Sequence, residues 1–171
     1  MEILEQIKNN FRDKVEVFEK SKKRAYISVS KENAKEVVGY LFKEMGARFS
    51  IATGIDIREG VEILYHMAFD KNGIVVSVRT LVPKPELEMP TFTDIIPATN
   101  WIEREIHEML GVNFIGHPNL EKLLLPDDWS EGEYPYRKKT FESEKEENPL
   151  YNLPLTKGEM SEQSEDKGGY K

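Results

Sequence analysis

The chain has 171 residues, 39% of them hydrophobic and 32% charged, with a formal net charge of −7 and no cysteine. That length supports one domain with a proper core. The acidic balance argues against nucleic acid as a main partner, because binding phosphates takes a basic surface. The missing cysteines exclude disulfides, thiolate metal sites, cysteine-ligated iron–sulfur clusters and thiol nucleophiles in this chain. No apolar run approaches the roughly 20 residues of a membrane helix. The start, MEILEQIKNN, lacks the basic-then-apolar order of a signal peptide, so a cytosolic chain without direct membrane insertion is expected.

In chain order, Ile3, Leu4, Ile7 and Phe11 recur three and four apart and predict a short amphipathic helix. Val15, Val17 and Phe18, then Tyr26, Ile27 and Val29, predict two strands around the basic run EKSKKR, which reads as a solvated turn. Ser30 stands where a helix N-cap belongs, with Asn33 three positions on. Ala34, Val37, Val38, Leu41, Phe42 and Met45 mark one face of a helix over 31–45, and Gly46 stops it. Three further strands follow: one around Phe49 to Ile57, one strictly alternating through Val61, Ile63, Tyr65, Met67 and Phe69, and one through Ile74, Val76 and Val78. The second of these carries Glu62, Leu64, His66 and Ala68 on its other face. Asp70-Lys71-Asn72-Gly73 between the last two is a hairpin turn. The expected class is α+β, an antiparallel or mixed sheet with helices packed on one face.

Pro83, Pro85 and Pro90 then interrupt the pattern, since each proline removes a backbone donor. The segment PKPELEMP reads as an extended connection on the surface of the sheet. Thr91 or Thr93 suits the cap of a short turn and Asp94 its positive end, and Pro97 suits the first turn of the next helix. That helix, over 98–110, places Trp101, Ile102, Ile106, Met109 and Leu110 on one side, with Glu103, Arg104 and His107 projecting elsewhere and Glu105 flanking the apolar face. Gly111 ends it. Gly116-His117-Pro118 forms a sharp turn that can present the imidazole outward, and Leu120, Leu123, Leu124 and Leu125 suggest another buried turn closed by Pro126. After Trp129 the composition turns charged and polar, with Leu150, Tyr151, Leu153 and Leu155 as the few core-forming side chains. Such a segment cannot bury enough apolar area to offset its chain entropy. The organisation expected is therefore an α+β domain over 1–82, a connection with a docking helix and Gly-His-Pro loop packed on it over 83–129, and an extended, partly disordered C-terminal arm over 130–171.

The chemistry candidates are His107, His117 and the glutamates 103, 105 and 108. Three histidines without HExxH or another ligand spacing do not make a metal site. No serine or cysteine elbow and no glycine-rich phosphate loop is present. A free-standing metal-dependent hydrolase built on His107 and His117 is the alternative of another class.

The stretch ERE–helix–GVNFIGHPNL–LLPDDW–PxRK closely resembles the signature of the 30 kDa, or C, subunit family of respiratory complex I, which also supplies a subunit of membrane-bound nickel–iron hydrogenases. The matching residues are Glu103, Arg104, Glu105, Gly111, Phe114, Gly116, His117, Pro118, Leu120, Leu124, Trp129, Pro135, Arg137 and Lys138. The resemblance implies a non-catalytic peripheral-arm subunit that holds no cofactor. It would dock against a large subunit with the nickel–iron centre, or its quinone-site descendant, and a small subunit with the proximal iron–sulfur cluster. The membrane arm would be an indirect partner, and the location the cytoplasmic side of the membrane. Glu103, Arg104, Glu105, His107, His117, Pro118, Trp129, Arg137 and Lys138 are the expected subunit-interface residues. The three charges of the ERE run would form ion pairs there. Departures at His107-Glu108, Tyr136, Lys139-Thr140 and the acidic tail lean toward the hydrogenase branch, with an NADH- or other donor-driven quinone oxidoreductase as the alternative. The Glu- and Lys-rich composition would suit a thermophile.

Overall fold

The computed structural model describes residues 2–138. Strand alternation and helical periodicity resolve into α1 (Glu2–Phe11), β1 (Val15–Ser21), β2 (Arg24–Val29), α2 (Lys31–Lys43), β3 (Arg48–Asp56), β4 (Gly60–Phe69), β5 (Ile74–Pro83), β6 (Glu88–Pro90), α3 (Asn100–Leu110) and β7 (Asn113–Ile115). Five strands form one sheet in the order β1-β2-β5-β4-β3, with β2 and β5 parallel and the other pairs antiparallel. The fold is therefore α+β with a mixed sheet. The register sets Val61, Ile63, Tyr65 and Met67 of β4 opposite Val82, Thr80, Val78 and Val76 of β5. All of these are buried, and their apolar members join α1 and α2 in one continuous core through Leu4, Ile7, Val37, Val38 and Leu41.

The other face of the sheet is not a plain solvated surface. Glu62 and Arg79, both buried, are ion-paired there, and Arg79 Nε donates to Glu62 at 3.0 Å. Beside them His66 Nδ1 lies 2.8 Å from Ser77 Oγ and Nε2 lies 3.2 Å from Thr53 Oγ1. The mixed character that the alternation of β4 predicts thus has a cause: polar groups there bond each other across strands.

Ser30 is the N-cap residue of α2, as its position predicts; its hydroxyl bonds no backbone N–H and instead accepts from Asn33 Nδ2 at 3.0 Å, while the Ser30 carbonyl accepts from the Asn33 and Ala34 amides. One local expectation needs correction: the proline-rich segment exposes Pro85, Glu86 and Glu88, but it and the residues after it are not confined to the surface. Leu87, Met89, Phe92 and Ile96 are buried in the core cluster. Pro90 tolerates this because β6 pairs only with β7, in parallel, so few ladder donors are required of it. Phe92 stacks on Tyr65 at 4.3 Å between ring centroids and 8° between planes, a contact worth about 0.5–1.5 kcal/mol beyond its buried area.

The segment 91–99 carries the chain to α3. Asp94 pairs with Lys35 of α2 at 2.8 Å. Pro97 opens a single 3₁₀ turn, Pro97–Thr99, that runs into α3, as its missing N–H suits. The helix packs against β3, and a Cβ placed on Gly54 would lie 2.4 Å from the Leu110 side chain. Glycine lets the helix approach the strand that closely. Gly111 ends α3 at φ 75°, its amide donating to the His107 carbonyl at 2.8 Å.

Residues 134–138 fold back on that helix end. Tyr136 N donates to the Met109 carbonyl at 3.1 Å, Arg137 Nε donates to the Leu110 carbonyl at 2.8 Å, and Lys138 N donates to Asp56 Oδ2 at 2.9 Å. Orphan carbonyls at the negative end of a helix thus receive a cation. The rest of the expected C-terminal arm, residues 139–171, lies outside the described residues.

A Cβ at Gly111 would stand 2.5 Å from the Tyr134 ring and 2.6 Å from the Arg137 guanidinium, in a left-handed conformation that alone costs a side chain about 1–3 kcal/mol. Gly111→Ala is therefore expected to lower the thermal midpoint clearly more than Gly73→Ala. Gly73 shares the positive φ but faces open space. Equal losses in differential scanning calorimetry would show that Tyr134 and Arg137 do not press on Gly111.

Candidate functional site

Helix α3 is built on two carboxylates that its sequence pattern conceals. The buried stripe runs Thr99, Glu103, Ile106 and Leu110, spaced four, three and four. Glu103 occupies a place where a hydrophobe would be expected, and this turns the helix. Trp101, expected on the buried side, is 69% exposed. Glu103, expected to project elsewhere, is fully buried in this chain.

Its environment explains how this is tolerated. Glu103 Oε2 accepts from Thr91 Oγ1 at 2.5 Å and Oε1 from the Phe92 amide at 2.8 Å. Burial pushes its pKa up, against the opposing hydrogen bonds of Thr91, Phe92 and Thr99. The same carboxylate lies near Tyr65, whose hydroxyl is held well above its ordinary pKa, first by burial and then by the Glu103 charge.

His117 sits over Glu103 at 4.0 Å, too far for a hydrogen bond. Its Nδ1 accepts from the Asn119 amide at 3.0 Å, and its Nε2 lies 3.1 Å from the Asn100 carbonyl. An acceptor Nδ1 puts the proton on Nε2, so the ring is neutral and bonded at both nitrogens. Burial first, with Arg104 and His107 nearby, holds its pKa below the ordinary value. Contrary to the outward imidazole expected of it, the Gly-His-Pro turn points the ring inward, where both nitrogens find backbone partners and tie the loop to the start of α3. His107 serves the other end of the helix, with Nδ1 2.8 Å from the Val112 carbonyl.

The second carboxylate is Glu108. It accepts three successive backbone amides, Leu123 at 3.1 Å, Leu124 at 2.9 Å and Leu125 at 2.9 Å. Three N–H groups converging on one anion form a nest. Burial raises the Glu108 pKa, but the three amides, with Lys122 adding to them, outweigh it and leave it below its ordinary value. One turn earlier, Arg104 donates to the carbonyls of Glu121 at 3.0 Å and Lys122 at 2.8 Å. The expected ion pairs of the ERE run are thus replaced: Arg104 binds loop carbonyls and Glu103 neutral donors.

Lys122 closes the loop from within, its ammonium donating to the carbonyls of Pro126, Asp127 and Trp129 at 3.0–3.2 Å. Trp129 Nε1 donates to the Glu133 carbonyl at 2.9 Å. The leucine run is accordingly not a buried turn. Leu120 and Leu125 pack against the core, whereas Leu124 is 60% exposed at the tip of a fixed loop. The backbone is held by polar groups, which leaves apolar side chains free to face outward.

Of the nine expected interface residues, Glu103 is internal and bonds the segment at Thr91 and Phe92, and His117 has a fully buried side chain and ties the loop to the start of α3. Arg104 and His107 are half-buried against loop backbone, and Arg137 lies 4.2 Å over the Tyr134 ring as it caps α3. Pro118 and Trp129 are exposed, and Glu105 and Lys138 are half-buried. Sequence reading named Glu108 only as a candidate for hydrolytic chemistry and as a departure from the family signature, and it missed Thr91 and Lys122 as members of the constellation. A lysine inside LEKLLLPDDW was the available signal, since a lone cation in an apolar loop needs acceptors. No group of three or more potential metal-ligating side chains converges among the described residues, and no helix there is long and apolar enough to cross a membrane.

The model of the family "respiratory-chain NADH dehydrogenase, 30 Kd subunit" matches residues 27–146, well over half of the chain. The chain belongs to that family. It is thereby a subunit of the complex I-like class. The C subunit of the F(420)H(2) dehydrogenase of Methanosarcina mazei is 36% identical over 118 residues, covering 67% of this chain and 73% of that one. The C/D subunit of the NADH-quinone oxidoreductase of Nitrosospira multiformis is 43% identical over 67 residues, 39% of this chain; the match spans only 11% of that longer protein. Among solved structures, a chain of the membrane-bound sulfane sulfur reductase, an archaeal respiratory membrane complex, superposes with a TM-score of 0.72 at 28% identity, covering 80% of this chain and 82% of that one. The trypsin-resistant fragment of Nqo5 shares the fold, with a TM-score of 0.58 at 24% identity over 70% of this chain and 97% of that one.

Two variants separate the roles of the 30 kDa-family carboxylates. Glu108→Ala strands three partly buried amides, each lost bond costing about 1–3 kcal/mol where the donor stays dry. The amides of Leu123, Leu124 and Leu125 should then exchange hydrogen at least about tenfold faster, with β4 and β5 unchanged; uniform acceleration would sink the local role. Because the folded pKa of Glu108 is depressed, its hold is present above the ordinary carboxylate value and lost as pH falls through the folded one. Glu103 behaves oppositely. Its raised pKa means that its stabilising neutral form is complete below about 4.5 and is lost as pH rises through the folded value. Urea unfolding should show the stability of Glu103→Gln minus that of wild type increasing from pH 4 to 7.5, and a constant difference would refute it.

Proposed function

We propose that this chain is a non-catalytic peripheral-arm subunit of a membrane-bound, ion-translocating hydrogenase complex of the complex I type. It docks the large subunit and the iron–sulfur small subunit, on the cytoplasmic side of the membrane and outside the bilayer. The nickel–iron centre and the iron–sulfur clusters belong to those partners. One observation carries the docking role. The loop over 117–129 is held by His117, Arg104, Glu108 and Lys122 acting on backbone groups, while Leu124 and Trp129 face outward. A loop fixed from inside before it meets a partner loses little conformational entropy on binding.

Family membership and the match to a chain of the membrane-bound sulfane sulfur reductase support the placement in a membrane-bound respiratory assembly. The hydrogenase assignment adds the departures from the complex I signature at His107-Glu108 and Tyr136. A second reading, the equivalent subunit of a donor-driven dehydrogenase or quinone oxidoreductase, is favoured by the 36% identity to the F(420)H(2) dehydrogenase chain. Affinity purification from the native membrane separates the two: recovery of a large subunit with four nickel-ligating cysteines supports the hydrogenase, and one without them the quinone or dehydrogenase branch.

Arg104→Ala removes both bonds to the Glu121 and Lys122 carbonyls without touching the core. The expected result is loss of the subunit from the solubilised complex, or weakened hydrogen evolution, with the circular dichroism and melting of the isolated chain nearly unchanged. Normal assembly and activity in that variant would reject the docking role of the loop.

A further inference from the structure

The two edges of the sheet are finished differently. The outer strand β1, VEVFEKS, carries Glu16, Glu19 and Lys20, the charges that keep a free edge from pairing with other chains. The opposite outer strand β3 is charged only at its ends: Arg48 is engaged by Asp70 at 2.9 Å, and Asp56 by Lys84 and the Lys138 amide. Between them the strand reads FSIATGI, seven residues without a charge or a proline. Ile51 there is 51% exposed.

Helix α3 stands beside this edge and makes it a groove. Ile51, Ala52, Thr53 and Gly54 form one wall, and Ile102, Ile106, Met109 and Leu110 another. Tyr136, 61% exposed, stands at the margin. The enclosed volume is about 210 Å³, below the roughly 300–1,000 Å³ of small-molecule pockets and suited to one or two inserted side chains. Glu105 is the only charged group in the lining, and its carboxylate has no hydrogen bond or ion pair among the described residues. Trp101 lies one turn before Glu105 on the same side of α3 and extends the apolar surface. Exposed Trp and Tyr beside an apolar cleft are the residue types that anchor protein interfaces.

We propose that this groove receives an extended apolar segment of the large subunit that carries a lysine or arginine, its backbone adding to the outer edge of β3, which pairs with no further strand among the described residues, and its cation pairing with Glu105. The identity of the partner rests on the docking reading above; the chemistry of the segment rests on the groove. Strand addition provides main-chain hydrogen bonds for affinity and alternate side chains for specificity. A carboxylate with no partner among apolar walls selects a cation at a fixed position in that segment.

Photo-crosslinking in the intact, membrane-derived complex tests this. A benzophenone amino acid at Ile51 is expected to capture one peptide of the large subunit, apolar and containing Lys or Arg. The same probe at Lys20 on β1 is expected to capture none. Glu105→Arg should reduce the subunit retained in the solubilised complex at least about tenfold and Glu105→Gln less, and reversing the captured cation to Glu should restore the Glu105→Arg complex. Capture of a second copy of this chain, of residues 139–171, of any protein other than the large subunit, or of a segment without a cation would overturn the proposal. If the large subunit is recovered with this chain but Ile51 captures nothing, the groove inference alone fails. If no large subunit is recovered, the docking reading fails with it.

Discussion

A carboxylate taken out of water must be met by donors, and the position of Glu103 in α3 depends on that requirement. The donors are Thr91 and the Phe92 amide, which belong to the segment entering from the sheet. Their bonds draw that segment inward, so that Phe92 stacks on Tyr65 and Met89 and Ile96 fill the core. They also set the rotation of α3 about its axis. Once Glu103 faces in, Glu108 and Arg104 face the loop that follows, and Trp101 and Glu105 face outward. Glu103 and Glu108 then work with opposite electrostatics: Glu103 is disfavoured as an anion by burial, and Glu108 is favoured by three amides. One ties the helix to the core, the other ties the loop to the helix.

Much of the fold is legible in the sequence because periodicity reports it directly. The strict alternation of β4, the turn at Asp70 to Gly73 and the helical spacing of 31–45 all lead to elements that the structure contains. The proline-rich segment and the face of α3 are different. Proline reports a missing donor, which implies a surface only if the backbone would otherwise need that donor. Here β6 has one neighbour, and burial is carried by Leu87 and Met89. In α3 the hydrophobic count misleads because a glutamate takes a core position and a tryptophan a surface one. No spacing rule signals that Thr91, a dozen residues earlier, is there to meet the glutamate.

The family signature resolves along similar lines. Its charges and turn residues read as an interface, and in this chain several of them bond internally, Glu103 to Thr91 and Phe92, Arg104 and His117 to backbone groups. His117, Glu103 and Arg104 present backbone and apolar side chains to the outside by occupying polar groups within. Trp101, Leu124 and Tyr136 are exposed large side chains, and Glu105 has no hydrogen bond or ion pair among the described residues. Loop interiors made of such bonds have no hydrophobic pattern, which is why the residues that build the site are harder to find than those that display it.

The parallel pairing of β2 with β5 has a consequence for how the chain comes together. Arg24 lies opposite Val75 and Ser28 opposite Arg79, partners that are 51 positions apart. Loop closure over such a distance is an entropic barrier that local helices and hairpins do not face. The β1–β2 hairpin and α2 can form early, but the centre of the sheet stays open until β5 arrives. During synthesis, the apolar residues of β2 and α2 must therefore wait, uncovered, for a strand made much later. Uncovered apolar surface of this kind favours aggregation until β5 has left the ribosome.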